Sequence, residues 1–392
     1  MYFNQRDIKS NTWHKIMISP KKFFTYLKKE DINFFAGVPD SLLKDLCFYI
    51  SDHTTKKNHV IAANEGNALS LGIGYYLATN KIPMIYLQNS GLGNIINPLL
   101  SLSDPEVYSI PSLLVIGWRG KPGIKDEPQH KKQGRVMLKM LKVMEIPYEI
   151  ISPKDTENEI IKILSKTIKS IRKGSRSMAI VVEKNTFEQY HHKKNLVKPY
   201  SMNREIALKQ ILSNIRKNDI VVATTGFTSR ELYEYRVANT KIHYNDFLTV
   251  GGMGHANQIA MGIAVHKSRK NIYCLDGDGA LLMHMGSLAI NAGINCKNFK
   301  HIIFNNGSHE SVGGQPTVGH RINFHKIAKE AGYGLVIIAK TYTQVLNGIK
   351  KMEAYREGAS LMEVKISQGT RKDLGRPKHS PIENKILLMK NI

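Results

Sequence analysis

The sequence predicts an α/β protein built as two tandem domains, each a mostly parallel sheet flanked by helices. Three observations carry this. Short β-rich runs of nearly continuous apolar character alternate with helical stretches, as strands buried on both faces require. The alternation stops over one polar segment and then restarts. The length, 392 residues, suits two compact α/β units better than one or three.

In the first half, strands are expected at 33–37, 59–62, 83–87, 112–117 and 178–183, with helices at 40–49, 65–78 and 156–171. Residues 184–202 lack periodicity and contain His191, His192, Lys193, Lys194 and Pro199, so they read as a solvated linker. The adjacent histidines point differently on any regular element and do not read as a metal site. In the second half, strands are expected at 219–223, 247–250, 271–275, 301–305, 334–338 and 360–364. Helices are expected at 204–215, 229–235, 255–265 and 281–292, and 368–392 reads as a basic tail. The domain boundaries follow as 1–184, a linker at 185–202, and 203–392.

Composition excludes several classes. Hydrophobic content of 42% supports sizeable cores, and 30 glycines with 14 prolines disfavour disorder. No apolar run is long enough to cross a membrane. Residues 1–13 lack the apolar middle of a signal peptide, so a cytoplasmic location is expected. Cys47, Cys274 and Cys296 are scattered, which fits a reducing compartment and no disulfide framework. The formal net charge is +24, a field that attracts anions. Its lysines come as dispersed pairs, as on solvated helix faces, whereas a nucleic-acid footprint is a concentrated stripe. No nucleic-acid partner is expected. A dinucleotide-dependent oxidoreductase is also disfavoured, since no GxGxxG opens a strand–helix unit.

The strongest chemical signal is Asp276-Gly277-Asp278-Gly279 after an apolar strand. Open parallel sheets bind ligands at the carboxyl ends of their strands. Gly277 and Gly279 let the backbone approach a ligand. The next helix offers free N–H groups to an anion such as diphosphate, and Asp278 suits a hard cation bridging its oxygens. The next strand ends in Asn305-Asn306-Gly307; the intervening residues, Ala280 to Phe304, leave room for one helix and the return strand.

With this spacing the chain resembles the thiamine-diphosphate enzyme family, whose signature pairs Gly-Asp-Gly with Asn-Asn. The resemblance implies Mg2+ held by Asp278, the Asn306 side chain and the Ser308 carbonyl, with Gly279 and Ala280 beneath the diphosphate. Thr225, Gly226 and Thr228 would take its other side; read alone, such hydroxyls suit helix capping. Gly251 and Met253 resemble the loop under the cofactor, the carbonyl of Gly251 accepting from the aminopyrimidine and Met253 wedging between the rings; alone, Met253 reads as core. Glu65, in Ala63-Asn64-Glu65-Gly66, matches the glutamate that hydrogen-bonds the pyrimidine and promotes formation of the C2 carbanion. Alone, it would favour a helix dipole. The family builds its site between subunits, so a homo-oligomer is implied.

Only the short linker stands between the two halves, which resembles the two-domain branch acting on phosphonopyruvate and sulfopyruvate. The segments 35–41, 88–94, 117–120, 126–130, 311–316 and 371–377 resemble the former. A small anionic 2-oxo acid is thus implied as substrate, with sulfopyruvate as the alternative. Asp40 and His130 resemble the acid/base residues of related decarboxylases; read alone, Asp40 caps a helix and His130 is a surface histidine. Substrate-binding candidates are Asn89, Ser90, Arg119, Lys121, Arg371 and Arg376, the cations because guanidinium and ammonium groups attract the substrate anion.

Overall fold

A computed structural model describes residues 17–192, 199–239 and 245–392. Residues 1–13 and the linker lysines Lys193 and Lys194 lie outside the described residues.

The first sheet is formed by β1 (Phe35–Gly37), β2 (His59–Ile61), β3 (Met84–Gln88), β4 (Leu113–Gly117), β5 (Tyr148–Ile151) and β6 (Met178–Val182). They are all parallel, in the order β2-β1-β3-β4-β6-β5. The second sheet is formed by β7 (Ile220–Ala223), β8 (Asp246–Leu248), β9 (Ile272–Gly277) and β10 (Phe299–Asn305), then, after the small hairpin β11 (Ser308–His309) and β12 (Gln315–Pro316), by β13 (Leu335–Ala339) and β14 (Ser360–Lys365). Its order is β13-β14-β10-β9-β7-β8, again parallel.

Each sheet has two cores, one per face, because strand side chains alternate. In β3, Met84 and Tyr86 join one core while Ile85 and Leu87 join the other. In β9, Tyr273 and Leu275 face one way, Ile272 and Cys274 the other. Burial on both faces is why these runs read as continuously apolar.

Several expectations need correction. β5 went unpredicted because it is a partly exposed edge strand with Glu149 in it. Helices Pro20–Lys29 and Pro128–Val143 also went unpredicted, although each opens on a proline at its first turn. The single helix expected at 281–292 is two, Asp278–Met283 and Ser287–Ile294. The first begins at Asp278 itself, so the acidic loop and the helix start coincide. The tail is not featureless: Ser380 and Glu383 form a capping box that starts helix Pro381–Asn391. From it Asn384 accepts from the Leu248 amide and donates to the Asp246 carbonyl, pinning β8. The linker is tied down before residue 193: Phe187 packs edge-on against Phe23, and His192 stacks on Phe48 and reaches Asp52 at 2.8 Å. Among the described residues, no helix is long and apolar enough to cross a membrane.

Candidate active site

In the second sheet the chain leaves β7 for β8 on one side, then returns to place β9 on the other. The carboxyl ends of β7 and β9 therefore diverge into a crevice. Thr224, Thr225, Phe227 and Thr228 line it from β7, Gly277, Asp278, Gly279 and Ala280 from β9, and Asn306 and Ser308 from the end of β10. Asp278 is 2% exposed, and its carboxylate accepts from the Thr317 hydroxyl. Burial pushes its pKa up to about 6, against the pull of Thr317 and nearby amides. At Gly319 an added Cβ would lie 2.3 Å from the Asp278 carboxylate, so glycine keeps that oxygen accessible. The Asn306 amide oxygen accepts from the Ser308 amide at 3.0 Å. The hydroxyls of Ser308 and Thr224 are buried and lack partners among the described residues. A buried carboxylate, an amide oxygen and spare hydroxyls form an all-oxygen donor set suited to a hard divalent cation and its phosphate ligand.

This crevice opens into a cavity of about 540 Å3 lined by both domains. Glu65 lines it at the start of helix Glu65–Thr79. Asn64 caps that helix through its oxygen and donates from its nitrogen to the Met283 carbonyl at 3.1 Å, joining the two domains of one chain. Asn94 donates to Glu65 Oε2 at 2.6 Å. Gly91 leaves room for the carboxyl group: an added Cβ there would meet Glu65 Oε1 at 2.1 Å. Gly226, Gly251 and Met253 face the same cavity from the second domain.

Of the acid/base candidates, His130 lines the cavity and Asp40 lies beneath its wall, fully buried. Asp40 caps the turn through the Leu42 amide and accepts from Gln88 Nε2 at 3.0 Å, and Gln88 does reach the cavity. Burial raises Asp40 to about 6, opposed by the charge of Arg119. Burial, aided by Arg119, lowers His130 to about 4, so it is neutral at pH 7, and its Nδ1 is without a partner among the described residues. His130 is thus no ordinary surface histidine.

The substrate-binding candidates scatter. Asn89 is buried and brackets the Arg119 backbone, donating to its carbonyl at 2.8 Å and accepting from its amide at 3.2 Å; this is a structural role. Ser90 lines the cavity and donates to Gln88. Arg119 lines it too, but both ends of its fork are held by Asp126 and a third nitrogen by Ser41. Lys121 pairs with Glu183, and Arg371 is shared among Glu205, Glu234 and Asp373; neither lines the cavity. Arg376 reaches the cavity, paired with Glu127.

The sequence reading missed Arg230, His255, His284 and His309, which all line the cavity. His309 lines the crevice as well, and burial lowers it to about 4. Its signal was present, since it directly follows Ser308. It missed a buried ionic cluster too. Arg204 pairs with Glu231 and with Glu310, and Glu310 accepts from Asn306 Nδ2 at 3.1 Å, bracing the asparagine from behind.

Two parallel sheets whose strand ends share a crevice with an acidic turn, and a glutamate facing it, define a thiamine pyrophosphate enzyme. The chain belongs to that family: residues 21–143 match its N-terminal TPP binding domain and residues 224–364 its C-terminal TPP binding domain. Among relatives, the chain is 31% identical to phosphonopyruvate decarboxylase of Streptomyces viridochromogenes, over 89% of this chain and 88% of the relative. It is 30% identical to phosphonopyruvate decarboxylase of Streptomyces hygroscopicus, over 94% and 92%. Sulfopyruvate decarboxylase of Methanosarcina acetivorans is more distant, 27% identical over 87% and 90%. The chain is accordingly a decarboxylase of the thiamine-pyrophosphate-dependent kind.

Proposed function

We propose that this chain decarboxylates 3-phosphonopyruvate to phosphonoacetaldehyde and CO2, using thiamine diphosphate and Mg2+. The observation that carries the reading is the single cavity in which Glu65 from one domain faces the Asp278 crevice of the other. The two relatives at 30% and 31% identity favour phosphonopyruvate over sulfopyruvate.

In this reading Asp278, the Asn306 amide oxygen and the Ser308 carbonyl hold Mg2+. The backbone N–H groups at Gly279 and Ala280 take one side of the diphosphate, with Thr225, Gly226 and Thr228 on the other. Thiamine diphosphate supplies the electron sink that lets a 2-oxo acid lose CO2. Gly251 offers its carbonyl and Met253 its side chain to the cofactor rings. Glu65, its carboxyl oriented by Asn94, would hydrogen-bond the pyrimidine ring of the cofactor and so promote its activation. His130, neutral and with a free Nδ1, moves a proton at the reacting carbon. Asp40 acts as a positioning residue by fixing Gln88 Nε2.

We propose a homo-oligomer with the cavity shared between subunits. Exposed apolar residues on nearby helices support this: Leu71 and Leu77 on the Glu65 helix, Ile290 and Ile294 on Ser287–Ile294. The surfaces that meet within one chain here meet equally between two copies that exchange domains.

The substrate is tested by assaying aldehyde release from phosphonopyruvate and from sulfopyruvate with both cofactors present. Preferential turnover of phosphonopyruvate is expected. Turnover of sulfopyruvate alone overturns the substrate assignment.

A further inference from the structure

We propose that Arg230, with Arg376 beside it, seats the phosphonate end of the substrate and sets the preference for a dianion over a monoanion. This rests on the decarboxylase reading above and assigns its substrate end.

The cavity is lined by three arginines, Arg119, Arg230 and Arg376. Two are committed: Arg119 to Asp126, Arg376 to Glu127. Arg230 has no ion pair or hydrogen bond among the described residues. Its guanidinium lies over the Phe227 ring at 5.7 Å, which orients the fork without neutralising it. Burial and the nearby charge of Arg376 pull its pKa down. Glu127 offsets part of this, but it is the ion-pair partner of Arg376, so Arg230 keeps a guanidinium that no carboxylate bonds among the described residues, an arrangement that an incoming anion completes.

Position separates two anions that Arg230 could serve. It lines the wide cavity together with Glu65 and His130, and is absent from the crevice around Asp278 and Asn306. It therefore faces the space beyond the diphosphate. Of the substrate's two charged ends, the carboxylate must leave as CO2. A strong cation on that group would stabilise the ground state more than the transition state. The phosphonate keeps its charge throughout, so cations contribute binding there without opposing the chemistry. A planar fork matches two of its oxygens. Arg376 adds positive field nearby even while Glu127 holds it, and that field together with the Arg230 fork favours a dianion over a monoanionic sulfonate.

The test uses holoenzyme saturated with thiamine diphosphate and Mg2+, and the variants Arg230→Gln and Arg230→Lys. Methylphosphonate, which lacks the reacting carbons, is titrated calorimetrically alongside steady-state kinetics. For Arg230→Gln the expected result is roughly a 10- to 100-fold rise in KM for phosphonopyruvate, the loss that follows removal of a charged hydrogen-bond partner. Methylphosphonate binding should fall in parallel, with kcat within a few-fold of wild type and cofactor affinity unchanged. Arg230→Lys should be intermediate. An unchanged KM overturns the proposal, and so does a loss of cofactor affinity, which would assign Arg230 to the diphosphate. If wild type binds methylphosphonate through Arg230 yet turns over no phosphonopyruvate, the anion seat stands and the assignment of phosphonopyruvate as substrate fails.

Discussion

Gly91→Ala isolates the geometry of the glutamate. Gly91 does not have a positive φ, so alanine fits its backbone and the effect comes from one added carbon. That carbon would sit 2.1 Å from Glu65 Oε1 and 2.5 Å from its carboxyl carbon, where ordinary contact begins at 3.4 Å. The carboxyl group must retreat by about 1 Å, and the 2.6 Å bond from Asn94 is stretched with it. A displacement of about 1 Å in a positioned catalytic group costs on the order of 100-fold in rate. Overpacking costs stability by about 1–3 kcal/mol, which a two-domain protein of this size tolerates. The expected outcome is kcat reduced about 100-fold, with thiamine diphosphate affinity within a few-fold and melting lowered by a few degrees. Steady-state decarboxylation, cofactor titration and thermal melting read these separately. A folded Gly91→Ala protein with kcat within about threefold of wild type would refute the placement of Glu65, since rate follows position this steeply.

Two further outcomes follow. If Asp278 holds Mg2+ as proposed, proton and metal compete for its carboxylate, whose pKa burial raises to about 6. Mg2+ affinity should hence be flat above about pH 7 and fall towards tenfold per unit as pH drops through about 6; calorimetric titration of Mg2+ with thiamine diphosphate at several pH values reads this, and constant affinity down to pH 5 contradicts it. Mixing Glu65→Gln with Asp278→Ala, each inactive alone, should restore up to about a quarter of wild-type activity if subunits exchange and each cavity draws on two chains. No recovery after demonstrated exchange would assign both walls to one chain.

How far the sequence could be read depended on where each residue's partners lie. β3, β4 and β6 were legible because burial on both faces makes their sequences almost wholly apolar; β9 and β10 were legible from their apolar centres, Ile272–Leu275 and Ile302–Phe304. β5 was not, because a half-exposed edge strand needs no such run. That Asp278 and Asn306 meet was legible because each lies in a local motif at the end of a strand, and the two strands are neighbours. The cations were not. Arg119 and Arg230 look alike in sequence, and only the fold brings Asp126 to one and leaves the other uncommitted. Arg376 meets Glu127 across the domain boundary, a pairing no local spacing announces. Asp40 resembled a group facing substrate, yet its burial beneath Gln88 depends on the strand order, which places β1 beside β3.

The central claim is that one half of the chain holds thiamine diphosphate and the other half activates it. Titrating the cofactor with Mg2+ into wild type and into Glu65→Gln, while following CO2 release from phosphonopyruvate, tests both parts at once. Similar cofactor affinity in the two proteins, with CO2 release only from wild type, is the predicted result. Failure of wild type to bind the cofactor, or near-normal CO2 release by Glu65→Gln, would contradict it.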